Sequence, residues 1–162
     1  MIGVGVVVET TGWPAASKRD LSQVKRTVLE KVGLDWHGRF LPRHFNTSAE
    51  NKYGYAQRTR GYKRRKIKNV GHSRPLVYTG TMEREATKHA VVRTSSNTAR
   101  VTMRARALNF AGKAKRKGAS YPDMRMELTA ITTQEIKALA TKGEQLAVKT
   151  MSKIRRTRRK GK

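Results

Sequence analysis

Apolar side chains alternate at Ile2, Val4, Val6 and Val8, a period of two that predicts a strand over Ile2–Glu9 with one face inward. Past a loop through Gly12, Trp13 and Pro14 the period changes. Leu21, Val24, Val28 and Val32 recur at helical spacing, which predicts an amphipathic helix over Lys18–Val32. Ser17 and Asp20 stand three apart, as a capping box requires, and Gly33 is placed as its C-terminal stop. Large apolar groups then crowd around Pro42, and Trp36, Phe40 and Phe45 are expected in the core. His37 and His44 sit in the same stretch. Seven residues apart and with no carboxylate pair nearby, they read as polar residues flanking a packing segment rather than as metal ligands.

The second half is patterned as clearly. Pro75-Leu76-Val77-Tyr78-Thr79-Gly80 is a short apolar anchor closed by a turn, and Thr81–Thr87 reads as a short helix with Thr81 as N-cap. Glu83 and Glu85 occupy its first turn, where the helix dipole favours acids. The runs His89–Thr94 and Arg100–Ala105, joined by Ser95-Ser96-Asn97-Thr98, predict a β-hairpin. Ala90, Val92, Val101 and Met103 then face a core, with Arg93, Arg100 and Arg104 outward. A basic loop, Asn109–Tyr121, carries Lys113, Lys115, Arg116 and Lys117. Met124, Met126, Leu128 and Ala130 alternate like another strand. A second capping box, Thr132 to Glu135, opens a long helix with a stripe of Ile136, Leu139, Leu146 and Met151, interrupted at Gly143. The expected fold is α+β, a small antiparallel β-sheet packed by two amphipathic helices, with a long basic arm and a basic C-terminal tail. Residues 1–151 form one domain with the arm inserted at about 46–74, and residues 152–162 form a tail expected to be disordered.

Charge changes the picture. Thirty-seven Lys and Arg against 11 Asp and Glu give the 162 residues a net charge of +26, far beyond what solubility asks for. Between Glu50 and Glu83 there is no acid, while Tyr53, Tyr55 and Tyr62 lie among the cations. Such a segment calls for solvent or for a polyanionic or acidic partner. The expected contact residues are Arg58, Arg60, Lys63, Arg64, Arg65, Lys66 and Lys68, followed by Arg155, Arg156, Arg158, Arg159 and Lys160.

With no cysteine, thiolate catalysis and Cys-type zinc sites are excluded. No P-loop, G-x-S-x-G or H-E-x-x-H is present, and the carboxylates are scattered, so no catalytic constellation, cofactor or metal site is expected. No stretch approaches the roughly 18–20 apolar residues of a membrane span, and Met1–Glu9 lacks the basic flank of a signal peptide. A soluble, non-enzymatic protein is therefore expected.

Pro75-Leu76-Val77-Tyr78-Thr79-Gly80-Thr81-Met82, followed by a hairpin, resembles a signature of the minor virion proteins of tailed bacteriophages, the virion morphogenesis, tail completion or neck protein family. The step Arg125-Met126-Glu127-Leu128-Thr129-Ala130-Ile131-Thr132-Thr133-Gln134-Glu135 resembles a second signature near that family's C-terminus. The likeness covers about Ser17 to Met151. It implies a non-enzymatic ring subunit at the head-to-tail junction, within a virion assembled in the host cytoplasm. Implied partners are copies of itself, neighbouring connector, head-closure or tail proteins, and packaged double-stranded DNA, with no membrane. The alternative expectation is an RNA-binding structural protein, such as a ribosomal protein, with the tyrosines stacking on bases.

Overall fold

A computed structural model of the protein describes residues 5–7, 17–88, 90–95, 97–103 and 123–160. The expected loops 12–14 and 109–121, His89 and Arg104 lie outside the described residues. A three-stranded antiparallel sheet is built from β1 (Gly5–Val7), β2 (Ala90–Thr94) and β3 (Thr98–Met103), in the order β1-β3-β2. Val92 pairs with Val101 and Gly5 with Arg100, so the expected hairpin and the N-terminal strand meet in one sheet. Ala99, Val101 and Met103 are buried, whereas Arg93 and Arg100 face solvent.

Helix α1 (Lys18–Asp35) crosses this sheet. Its capping box forms as expected: Asp20 N–H donates to Ser17 Oγ at 3.3 Å, and Ser17 N–H to Asp20 Oδ2 at 3.3 Å. Val24, Val28, Leu29 and Val32 are buried along one face. Gly33 does not stop the helix. A Cβ there would lie 3.1 Å from Val101 and 3.2 Å from Val92, so its missing side chain lets the helix approach the sheet. The chain instead leaves α-helical geometry nearer Pro42, which has no N–H to give and whose ring clashes with the preceding turn. Trp36–Phe40 form a π-helical turn, closed by Leu41 N–H on the Trp36 carbonyl, and Leu41–Phe45 a 3₁₀ turn. These turns drive Trp36, Phe40, Leu41 and Phe45 into the core.

Two short helices follow, α2 (Ala49–Lys52) and α3 (Arg60–Val70), then α4 (Thr81–Lys88). The α4 helix begins at Thr81, as expected, and runs to Lys88, but Arg84 N–H is bonded to the Gly80 carbonyl, so Gly80 rather than Thr81 holds the cap position. Residues 124–129 are helix α5 (Met124–Thr129), not a strand. Asp123 accepts from Arg125 N–H at 2.9 Å and Met126 N–H at 3.2 Å, and this N-cap overrides the alternation of Met124, Met126 and Leu128. Leu128 is buried while Met126 is exposed.

Helix α6 (Thr133–Lys160) packs along α1. Its capping box forms, with Glu135 N–H on Thr132 Oγ1 and Thr132 N–H on Glu135 Oε2, both at 3.3 Å. Gly143 belongs to the packing stripe rather than interrupting it, since a Cβ there would touch Val32 at 3.6 Å and Val28 at 3.7 Å. Leu139 and Ala147 flank it as buried residues, while Ile136 is exposed. The helix also continues through the segment expected to be a disordered tail. Lys and Arg are good helix formers, and cations at a helix C-terminus complement the macrodipole. The fold is thus α+β, with sheet, α1 and α6 in successive layers.

Candidate polyanion-binding surface

Helix α3 opens on Thr59, whose Oγ1 accepts from Tyr62 N–H at 3.2 Å. It closes on Gly71 at φ 75°, a left-handed conformation that glycine adopts without steric cost. The helix divides the expected contact residues by face. Lys63 and Lys66 turn inward with Val70, at helical spacing. Arg60, Arg64 and Lys68 recur every fourth residue on the outer face, about 6 Å apart along the axis, with Arg65 beside them. These four are exposed and make no ion pair among the described residues.

The inward cations are already engaged. Arg58 grips Glu127 with both guanidinium nitrogens, at 2.8 and 2.6 Å, and Lys63 pairs with Glu50 at 2.5 Å. Lys66 is 5% exposed and donates to the Arg74 carbonyl. Its burial pulls its pKa down. Arg74 in turn reaches Glu83 at 3.2 Å. The arm therefore neutralises part of its own charge, contrary to the sequence expectation, by drawing on carboxylates from α2, α4 and α5.

Two of the three arm tyrosines are likewise internal. His44, fully buried, stacks on Tyr53 with ring centroids 3.8 Å apart, and its Nδ1 lies 2.5 Å from Tyr55 Oη and 3.0 Å from the Glu127 carbonyl. A carbonyl can only accept, so Nδ1 carries the proton. Tyr53 donates to Glu135 at 2.8 Å, and Lys52 pairs with the same oxygen at 2.5 Å. Burial works against the Glu135 carboxylate, but these bonds prevail and hold its pKa below the ordinary value. Burial moves His44 the other way from its usual range, down to about 4, and pushes the Tyr55 hydroxyl up. His37 is also internal, its Nε2 donating to the Ala86 carbonyl at 2.7 Å. Of the arm tyrosines only Tyr62, 40% exposed, remains available for stacking.

The anchor folds as a constrained turn. Leu76 is left-handed at φ 55° yet buried, Val77 follows inward, and Gly80 is left-handed at φ 78° before α4. A leucine in that region carries strain of about 1 kcal/mol, offset here by burying its side chain. Pro75 precedes this turn, and the Thr79 and Thr81 hydroxyls lie 3.1 Å apart.

Two further basic features stand apart from α3 in the sequence. Arg93 and Arg100 are direct cross-strand partners on the exposed sheet face, a like-charge pairing that costs stability in water and that an anion would relieve. Sequence patterning set both outward but gave no sign that register would oppose them. Arg155, Arg156, Arg158, Arg159 and Lys160 lie on the final turns of α6.

Compared with protein-family models, with curated proteins and with solved structures, the chain matches none. Among the described residues no helix is long and apolar enough to cross a membrane, and no group of three or more potential metal ligands occurs.

Proposed function

We propose that the protein is a non-enzymatic structural subunit of a tailed-bacteriophage virion, set at the head-to-tail junction around the DNA channel. The observation that carries the reading is the α3 outer row, where Arg60, Arg64, Arg65 and Lys68 stand exposed beside a helix face whose other cations are all engaged internally. Cations without carboxylates suit a polyanion held through its phosphates, which is sequence-independent and permits sliding. The resemblance of Pro75–Met82 to the phage signature supports the assembly role, because the same order of turn, helix and hairpin follows it. Partners in this role are copies of itself in a ring, connector, head-closure or tail proteins, and packaged double-stranded DNA.

The test is mass spectrometry across a density gradient of lysate from the source culture. Co-migration with DNA-filled virions at a few copies per particle is expected. A peak with ribosomes would overturn the virion role in favour of RNA binding.

A further inference from the structure

A cavity of about 620 Å³ opens between the inner face of α3 and the 73–82 segment. Leu76, Val77 and Met82 provide apolar wall, all three nearly inaccessible to solvent. Tyr62 and Tyr78 also line it and are 40% and 51% exposed, so large aromatic surface stays uncovered there. Three cations reach the cavity, and two have carboxylates: Arg58 has Glu127 and Lys63 has Glu50. The third, Lys66, has none among the described residues. Its ammonium has three donors, and its one hydrogen-bond acceptor there is the Arg74 carbonyl, with the Tyr62 ring 5.9 Å away.

A buried ammonium with no carboxylate in ion-pair contact is costly, and Glu50, which also lines the cavity and is held by Lys63, offsets that cost only at longer range. The rest of the chain is poorly equipped to supply a closer acid. Segments 104–122 and 161–162 contain no Asp or Glu, and residues 1–16 contain only Glu9. A space in which Leu76, Val77, Met82 and two tyrosines stand beside polar groups such as Glu50 and Thr59, and in which Lys66 is the one lining cation without an ion pair among the described residues, is complementary to an acidic side chain flanked by apolar ones.

We propose that this cavity is a docking site for an acidic-apolar peptide segment of another protein, its carboxylate meeting Lys66 and its neighbouring aromatic or branched side chain entering between Tyr62 and Tyr78. The site lies on the opposite face of α3 from the Arg60–Arg64–Lys68 row, so the helix would hold a polyanion on one side and a protein partner on the other. The inference goes beyond the virion role and does not depend on it.

The experiment selects a displayed library of random short peptides on the full-length protein at about 0.3 M salt, where screening suppresses long-range attraction to the basic surface. The enriched peptide is then synthesised with its acid intact and as the amide isostere, and titrated calorimetrically. The expected sequences place one Asp or Glu beside an aromatic or branched residue. The amide isostere and the Lys66→Met protein should each weaken binding at least about thirtyfold, as removal of one member of a buried charge pair does. Arg65→Met, which removes the same charge from the exposed face, should leave binding unchanged. Should Lys66→Met fail to fold, Tyr78→Ala at the exposed aromatic wall gives the second reading, with weaker binding and an unchanged circular dichroism spectrum expected. The proposal is overturned if no peptide is enriched, if enriched peptides are acidic runs that bind Lys66→Met equally well, or if the protein itself dimerises through Tyr78. Ribosomal co-migration in the gradient would leave this result standing, and failure here would leave virion co-migration standing.

Discussion

Arg58 meets Glu127 in a two-point ion pair that joins the basic arm to α5 across 69 residues of sequence, with Glu127 7% and Arg58 13% exposed. Glu127 Oε1 also accepts from Ala56 N–H at 3.2 Å, so one carboxylate fixes both backbone and side chain of the arm. A residue expected to touch a partner is instead a strut. Removing one member of such a pair leaves the other charged and buried. Glu127→Gln is expected to destabilise the protein by about 3 kcal/mol, read from urea unfolding. Equal stability of Glu127→Gln and the native protein would show that the pair is open in solution.

Acid should weaken the fold through His44. Burial lowers its pKa from 6.5 to about 4, so between those values the unfolded chain binds a proton that the folded chain refuses. Stability is therefore fully present above pH 6.5 and declines as pH falls toward 4, by about 3 kcal/mol in all. In His44→Gln this component of the slope should vanish, leaving the carboxylate losses at lower pH. Unfolding midpoints measured from pH 4 to 8 test it.

Two helical glycines should respond oppositely to alanine. At Gly143 the added methyl would sit 3.6–3.7 Å from Val32 and Val28, an ordinary van der Waals distance, and alanine also favours the helix. Gly143→Ala is expected to raise stability by up to about 1 kcal/mol. At Gly33 the same methyl would press on Val101 and Val92 at 3.1 and 3.2 Å, between α1 and the sheet. Gly33→Ala should lower stability by about 1–3 kcal/mol, as overpacking does. Thermal unfolding of the two variants side by side decides both.

Polyanion affinity should follow the division of α3 into faces. Replacing Arg60, Arg64 or Lys68 by alanine should weaken duplex DNA binding and reduce the salt slope by about 0.9 for each phosphate that is no longer neutralised. Lys63→Ala, on the inner face and paired with Glu50, should change the slope much less. Equal effects at Lys63 and Arg64 would show that net charge alone governs binding.

Local signals in the chain were sufficient for much of this molecule. Ser17 with Asp20 and Thr132 with Glu135 announced the starts of α1 and α6, because a capping box is complete within four residues. Period-two runs announced the hairpin, and the density of large apolar groups around Pro42 announced the core of Trp36, Phe40 and Phe45. The cation row of α3 was legible as charge, since no acid lies nearby in sequence.

Tertiary structure decided what needed a distant partner. Gly33 and Gly143 look like helix breaks when the chain is read alone, yet each is a point of close approach, to the sheet and to α1. Nothing near Arg58 or Tyr53 in sequence reveals that Glu127 and Glu135 will fold back on them and withdraw them from the surface. Composition determined that this protein carries a large excess of positive charge. Only folding decided which cations are taken up by internal carboxylates, because an ion pair needs proximity and desolvation that charge content does not encode.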